Sequence, residues 1–367
     1  VTEPRGEDDL PEVASRGFWA ETWRRFRKQR RSMMGLAMLA FLALVGFFAP
    51  FVAGTKPVVC KYKGHIYFPA MSYYVDSWEN PIFLSSGDKF RNSYPANLVK
   101  KDPASWAIWP IFYADPYRKS AEKDWRGAPG FEGRAEADNN QPPSWSYPFG
   151  TDELGRSVLA RMVHGTQIAL LIGLLSMGIA TAIGLTFGAL AGYTQGRTDM
   201  VVSRFMEVVQ SVPTLILILA LIAIVEKPTI WKLMAVIGGT GWIPIARLTR
   251  GEFVKLMNLD YVIAARALGL GHARIVVRHV LPNALAPALV QISFGIAGAI
   301  LTEAGLSLLG FGVQPPTPSW GAILHSGMDD YTKWWLILFP GIAVFVAVFT
   351  YNLLADGLQQ ASDPRLR

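Results

Sequence analysis

Residues 261–282 read YVIAARALGLGHARIVVRHVLP, and the fold turns on what this stretch separates. It is basic, with Arg266, Arg274 and Arg278 and no acid, and it lies between two strongly apolar runs. Residues 263–268 are good helix formers. Gly269 and Gly271 predict a break after them, because glycine enters left-handed backbone geometry without steric cost. A second helical pattern has Ile275, Val276, Val280 and Leu281 as its apolar positions, and Pro282 is expected to close it. The stretch therefore reads as helix, glycine turn, helix, kept out of a bilayer by its arginines. A short bent element of this kind suits docking into a groove on another protein. An ordinary solvated loop between two membrane helices has the same local chemistry.

The composition sets the setting for that element. The chain has 367 residues, 51% of them hydrophobic and only 17% charged, against roughly 25% charged in a typical soluble protein. Several uninterrupted apolar runs approach the roughly 20 residues that cross a bilayer as a helix. The class implied is an all-α polytopic membrane protein. The net charge of +7 would suggest nucleic acid in a soluble protein. Here the cations flank apolar runs, which is the positive-inside pattern. A single cysteine, Cys60, excludes an intrachain disulfide framework and a cysteine-rich metal site. No cleavable signal peptide is expected, because the first apolar run starts near residue 34, behind a polar, acidic leader.

Toward the N-terminus, residues 1–16 are polar and acidic and read as a disordered cytoplasmic tail. Residues 17–33 place Trp19, Trp23 and Phe26 on one helical face, with six cations from Arg24 to Arg31 on the rest. This predicts an interfacial helix on the cytoplasmic membrane surface, aromatic face in lipid. A nucleic-acid arm is the competing reading, and the aromatic stripe argues against it. The first span, about 36–52 within a segment 34–53, should start in the cytoplasm. Residues 54–147 are an aromatic, proline-punctuated excursion, far longer than an ordinary connection, and read as a small extracytoplasmic subdomain. Within it VVCKYKGHIYFPAM alternates around Lys63-Gly64 and predicts a β-hairpin, whereas DPASWAIWPIFYADPY reads as extended or as a packed loop.

Residues 148–356 form the expected transmembrane core. Thr151 or Asp152 is expected to cap a short helix with Leu154, Val158 and Met162 on its apolar face. Span two, about 168–190, is rich in small residues (Gly173, Gly178, Ala180, Ala182, Gly184, Gly188) and should pack among other helices. Arg197 and Arg204 mark a cytoplasmic loop. Span three, about 208–225, has Pro213 near its start and a tight turn at Glu226-Lys227-Pro228. Span four, about 230–246, is interrupted by Gly238, Gly239, Gly241 and Pro244, which predicts a kink. Arg247 and Arg250 fix its inner end. Span five, about 284–301, is followed by an outer glycine/proline loop. Trp334 and Trp335 are expected at headgroup level before span six, about 336–354. Residues 357–367 are a cytoplasmic tail. Six spans with both termini inside fit every cationic cluster.

No G-x-x-x-x-G-K-[ST] occurs, so ATP has no P-loop in this chain. The five histidines lack metal-site spacing, G-x-S-x-G is absent, and nothing resembles a catalytic site. Glu207, at the inner mouth of span three, and Glu303, at the outer end of span five, are candidates for a polar contact on a pathway. The plainer readings pair Glu207 with Arg204 and leave Glu303 solvated at the interface, the latter slightly favoured.

Several stretches then match one family. AARALGLGHARIVVRHVLPNALAP resembles the EAA loop of permease subunits of bacterial ABC importers. GTDELGRSVLARMVHGTQIAL, GWIPIARLTRGE, DYVIAARALG, LSLLGFGVQPPTPSWG and ADGLQQASDPRLR resemble the C-type subunit of the dipeptide/oligopeptide class. The resemblance covers the N-terminal span and residues 149–367. Ile263 stands where relatives usually carry the glutamate of the motif, so any salt link of that glutamate is missing here. KPVVCKYKGHIYFP is similar to the Yej-type branch, associated with oligopeptides and the antibiotic microcin C.

The resemblance implies an ATP-driven importer in the bacterial inner membrane. Its partners would be a homologous permease, two ATPase subunits or domains, an extracytoplasmic peptide-binding protein and a peptide substrate. No cofactor is expected in this chain; ATP and Mg belong to the ATPases. The implied ATPase-coupling residues are Tyr261, Ala264, Ala265, Arg266, Ala267, Leu268, Gly269, Leu281 and Pro282. A passive channel or receptor uncoupled from ATP is the rival from another class. A nickel or other small-solute permease is the rival within the family.

Overall fold

A computed structural model describes residues 18–75, 78, 98, 102–119, 138–224, 229–328 and 330–362. The expected tail 1–16, the turn at Glu226-Lys227-Pro228 and residues 363–367 lie outside the described set. The chain begins with α1 (Phe18–Lys28), α2 (Arg30–Phe47) and α3 (Ala49–Val52), then enters small sheets built from β1 (Ala53–Gly54), β2 (Val59–Tyr62), β3 (His65–Tyr67), β4 (Trp106–Ile108) and β5 (Phe112–Tyr113). The helical core follows: α4 (Val158–Thr194), α5 (Gly196–Gln210), α6 (Thr214–Ile224), α7 (Ile230–Thr240) and α8 (Ile243–Leu256). It ends with α9 (Asp260–Ala267), α10 (His272–Ile275), α11 (Leu281–Leu308), α12 (Trp320–Met328) and α13 (Trp335–Ser362).

Among the described residues four helices are long and apolar enough to cross a membrane: Arg30–Phe47, Val158–Thr194, His272–Leu308 and Trp335–Ser362. The other two expected spans are broken. Span three divides at Pro213 into α5 and α6, bent by 82°. Proline lacks the N–H and crowds the carbonyl four residues back, so a sharp bend there has a local cause. The stretch around Arg197 and Arg204, expected as a loop, is therefore the helix α5. Span four is interrupted at Gly241, which ends α7, with Pro244 in the first turn of α8. The break falls among the glycines and proline where a kink is expected.

α4 is the central post, packed against α2, α7, α8 and α11. Its 37 residues reach about 55 Å at 1.5 Å per residue, well beyond a hydrocarbon core of about 30 Å. The short helix expected before span two is simply its first turns. Ser157, not Thr151 or Asp152, is the cap: its side chain accepts from the N–H of Ala160 at 3.4 Å. Thr151 instead bridges to Ser157, Asp152 pairs with Arg156 at 2.7 Å, and Leu154 is exposed. Val158 and Met162 are buried as expected.

Three of the small residues on α4 explain its contact with α8. Gly184, Gly188 and Gly192 lie four apart, on one stripe. A Cβ at Gly188 would stand 2.5 Å from the carbonyl oxygen of Ala246 and 2.7 Å from Cβ of Thr249. Gly178 and Ala182, also expected at an interface, are exposed.

Two tryptophan-rich features differ from expectation. Phe26 is buried and packs in the notch left by Gly357 on α13, while Trp23 is exposed. The side chain of Trp19 lies outside the described set. The aromatic stripe of α1 is thus split between protein and surroundings, because a glycine on α13 admits a ring. Trp335 is likewise buried, its indole donating to the Thr151 carbonyl at 3.0 Å, while Trp334 is half exposed. α12 occupies part of what reads as a glycine/proline loop, and α13 runs into the expected tail as far as Ser362.

The described part of the excursion contains the expected hairpin. β2 and β3 pair antiparallel with Tyr62 opposite His65, and Lys63 and Gly64 both have positive φ, 48° and 85°, as a tight two-residue hairpin turn requires. β4 adds to the other side of β2, and β5 pairs parallel with β1. Asp115 anchors the base, accepting from the Thr55 hydroxyl at 3.1 Å and the Tyr117 N–H at 2.8 Å. Burial pushes its carboxyl above the usual range, while Arg118 and these donors pull the other way.

Candidate docking element and membrane path

α9 turns Val262 and Ala265 inward against Phe253, Met257, Ile275 and Val280, a small core separate from the main one. This spacing of three leaves the opposite face outside: Tyr261, Ile263, Ala264, Arg266, Ala267 and Leu268 are exposed, Leu268 at 80%. An apolar side chain that bare, at the tip of a helix otherwise held by its own core, finds no cover among the described residues.

The turn has a definite geometry. Gly269 N–H reaches the Arg266 carbonyl at 2.9 Å and Leu270 N–H reaches the Ala265 carbonyl at 3.2 Å. That pair of bonds is the Schellman arrangement, which needs a left-handed residue after the helix. Gly269 supplies it with φ of 75°, and no atom lies within 4 Å of where a Cβ would stand. The demand for glycine is conformational, not one of space. Gly271 differs: its φ of −64° and ψ of 147° suit any residue, and it starts α10 instead of breaking α9.

The second helix of the element is not closed by Pro282. His272–Leu308 is one continuous rod, with Pro282 in the first turn of α11 and Val276–Val280 widened into a π-helical turn. Proline removes one N–H and crowds the carbonyl of Arg278, and a wider turn relieves both without ending the helix. Leu281 and Pro282 are half-buried. The exposed tip of α9 is thus joined through the Gly269 turn to a helix long enough to cross the membrane. Tyr193 at the end of α4 hydrogen-bonds His272, and Tyr261 donates to the His279 carbonyl at 3.4 Å.

Beside this element a cavity of about 560 Å³ opens between α8, α11 and α13, lined by Glu252, Lys255, Asn283, Gln291, Phe294 and Gln359 among others. Leu248, Leu256, Ala286, Pro287 and Val290 line it as well, so its walls mix apolar with charged and amide groups. Neither candidate glutamate lines it. Glu207 is exposed and pairs with Arg204 at 2.6 Å. Glu303 is only 2% exposed, accepting from Ser307 at 2.6 Å and Ser319 at 2.9 Å. It is not a solvated interfacial group, because α12 folds back and brings Ser319 over it. The spacing of Glu303 and Ser307 on one helix face is legible in sequence; Ser319 is not. Also unread from sequence is the two-point grip of Arg250 on Asp199, whose Nη2 to Oδ2 contact is 2.7 Å and which joins α8 to α5. Among the described residues no three His, Cys, Asp or Glu side chains converge as metal ligands.

Comparison with known proteins places these elements. Residues 184–367 match the family model for the binding-protein-dependent transport system inner membrane component. Residues 17–68 match the N-terminal membrane domain of oligopeptide transport permease C. The chain is 31% identical to the inner membrane ABC transporter permease protein YejE of Escherichia coli, over 93% of this chain and 96% of that one. It is 31% identical to the peptidoglycan transport system permease protein YejE of Agrobacterium fabrum, over 100% and 98%. It is 40% identical to the di/tripeptide transport system permease protein DppC of Pseudomonas aeruginosa, over 62% of this chain and 77% of that one. The YejE matches run through the excursion at residues 54–147, which the shorter match to DppC cannot cover in full. The chain thus belongs to the inner membrane permease components of binding-protein-dependent ABC transporters.

Proposed function

We propose that this chain is a permease subunit of an ATP-driven importer for peptides, forming its path together with a homologous permease. The observation that carries the reading is the exposed tip at Ile263–Leu268, ended by a Schellman turn and joined through it to a spanning helix that starts at His272. The likeness to a di/tripeptide permease over 62% of the chain supports the substrate class, and the YejE relatives carry the permease likeness along almost the whole chain. Tyr261, Ala264, Ala265, Arg266, Ala267, Leu268 and Gly269 form the coupling element, with Leu281 and Pro282 as its link to the membrane. Ala265 supports it from within; the exposed members seat in a groove on a cytoplasmic ATPase. Since Ile263 replaces the usual glutamate, seating rests on shape and apolar contact. ATP and Mg are bound by the ATPases. Closure of the ATPases drives the two coupling elements together and switches the path between its inward- and outward-open states.

Six passes with both termini cytoplasmic suit the charge pattern, counting α5 with α6 and α7 with α8 as one pass each. The excursion then lies outside, where it contacts the binding protein or the partner permease. The peptidoglycan-transport relative matches through that excursion, so a peptidoglycan-derived peptide is the substrate to try first, beside microcin C and plain oligopeptides.

The test is reconstitution of both permeases with the ATPases in proteoliposomes, with peptide-loaded binding protein. Peptide-stimulated ATP hydrolysis and ATP-dependent uptake are expected in the wild type and lost in Gly269→Leu. Undiminished stimulated hydrolysis in Gly269→Leu overturns the coupling assignment. Conduction without ATP, or uptake of nickel in place of peptide, overturns the function. Deleting roughly residues 58–140 should weaken binding-protein docking or assembly; normal docking, assembly and uptake would exclude a role for the excursion.

A further inference from the structure

α2 has one packed side and one bare side. Gly35, Leu42 and Gly46, spaced seven and four apart, are buried, with Gly35 against α13 and Gly46 against α4. Phe41, Leu44 and Phe48 project from the opposite side, exposed among the described residues, and Phe47 beside them is 65% exposed. In a helix long and apolar enough to cross a membrane, a bare apolar face of this kind meets lipid chains. α2 starts at Arg30 and Arg31 and rises about 26 Å by Phe47 at 1.5 Å per residue. With the two arginines at one headgroup layer, Phe47 therefore still lies within a hydrocarbon core of about 30 Å.

The helical ladder breaks at that depth. The Phe51 N–H, which would continue it onto the Phe47 carbonyl, bonds the Phe48 carbonyl at 2.9 Å instead. A backbone carbonyl left unpaired in hydrocarbon is costly. Tyr74 of the excursion supplies the missing donor: its hydroxyl bonds the Phe47 carbonyl, and its ring stacks on Phe47 with centroids 6.3 Å apart. Its neighbour Val75 is exposed, as is Trp78, whose N–H reaches the Val75 carbonyl at 3.0 Å. A second part of the excursion comes down one turn further on. There the Ile111 N–H donates to the Phe51 carbonyl at 3.3 Å, and the Ile111 side chain is 71% exposed. Phe47, Phe48 and Phe51 link the two contacts as successive edge-on rings, 5.0 and 5.5 Å apart.

We propose that the base of the excursion is a lipid-binding surface, with Tyr74, Val75 and Ile111 inserted among acyl chains beside Phe47 and Phe48. Continuity with the bare face of α2 names the partner. Apolar side chains tied by hydrogen bonds to the last turns of a spanning helix stay in the layer where that helix ends. A tyrosine ring with its hydroxyl committed, and a tryptophan one turn away, suit the boundary between chains and headgroups. The layer is the one opposite Arg30 and Arg31, hence the outer leaflet by the positive-inside rule. The insertion itself depends neither on that orientation nor on the importer reading.

The experiment uses the assembled transporter in nanodiscs, with a bimane label on Val75→Cys or Ile111→Cys. Phe41→Cys, midway along the bare face of α2, is the lipid reference, and His65→Cys, at the hairpin turn, is the water reference. Wild type, whose Cys60 is buried, is the blank. Lipids carrying a nitroxide near the glycerol end of the chain should quench Val75→Cys and Ile111→Cys about threefold more than His65→Cys. They should also quench these two more than lipids carrying it near the methyl end, whereas Phe41→Cys should show the opposite depth order. Iodide in the buffer should reach His65→Cys far better than either. Lipid quenching at Val75→Cys and Ile111→Cys no stronger than at His65→Cys, with equal access to iodide, overturns the proposal. Labels shielded from both quenchers mark a protein partner on this surface and overturn it as well. If a cysteine variant fails to assemble, wild type decides in nanodiscs containing a lipid with a photoactivatable diazirine in its chain. Adducts on the peptides holding Val75 and Ile111 are then expected; adducts on Phe41 without them overturn the proposal.

Discussion

Ser319 donates to the carboxylate of Glu303 at 2.9 Å across sixteen residues of chain, pinning the start of α12 to the end of α11. The same hydroxyl accepts from the N–H of Ala322 at 3.2 Å, so one serine both caps α12 and satisfies a buried acid. Removing the acid should therefore cost more than removing the serine. Glu303→Ala leaves two buried hydroxyls without their acceptor and should destabilise the protein by about 2–3 kcal/mol; Ser319→Ala should cost about 1–2 kcal/mol. Thermal unfolding in detergent checks the order. A Glu303→Ala protein as stable as wild type would mean that the network does not hold α12 in place.

Gly269 and Gly271 separate two uses of glycine. Alanine at 269 must adopt a left-handed backbone and should cost about 1–2 kcal/mol, with a matching loss of ATPase coupling in the assembled complex. Alanine at 271 meets no such demand, because φ there is −64°, and its effect should stay within about 0.5 kcal/mol. Equal effects at both positions would show that the turn does not depend on Gly269.

The α4–α8 contact gives a third comparison. Gly188→Val drives its side chain into the Ala246 carbonyl and Thr249, which lie within 2.7 Å of the Cβ position, and should cost about 3 kcal/mol. Gly178→Ala, with nothing within 4 Å, should be neutral. Folded yield in membranes, followed by unfolding of the purified protein, reads both.

Cys60 lies in β2, fully buried, and burial pushes its thiol from 9.0 up to about 11. So weak an acid carries about 100-fold less thiolate, the reactive form, at neutral pH than an ordinary thiol. Maleimide labelling at about pH 7.5 should accordingly be roughly 100-fold slower, or more, in the folded protein than after denaturation. Because the acid's folded pKa is raised, ionisation disfavours folding. Stability attributable to Cys60 is full below pH 9.0 and is lost as pH rises from there through about 11. Rapid labelling of the folded chain would show that the sheet opens readily.

The sequence by itself determined what depends on local chemistry. Apolar run length marked the membrane helices, Lys63-Gly64 marked the hairpin, and the motifs around 261–282 marked both the exposed bent element and the family. Gly269 was legible because a helix of good formers followed by glycine specifies its own end. Tertiary structure decided what depends on a neighbour. Pro282 reads as a stop, yet a π-helical turn lets α10 and α11 join, with Ile275 and Val280 buried in the small core beside it. Glu303 reads as an interfacial acid, yet α12 folds back over it. Phe26 and Trp335 read as lipid anchors, yet a glycine notch on α13 and the Thr151 carbonyl draw them inside. Tyr74 shows no local signal at all. Its hydroxyl meets the Phe47 carbonyl only because the excursion folds back onto the end of α2.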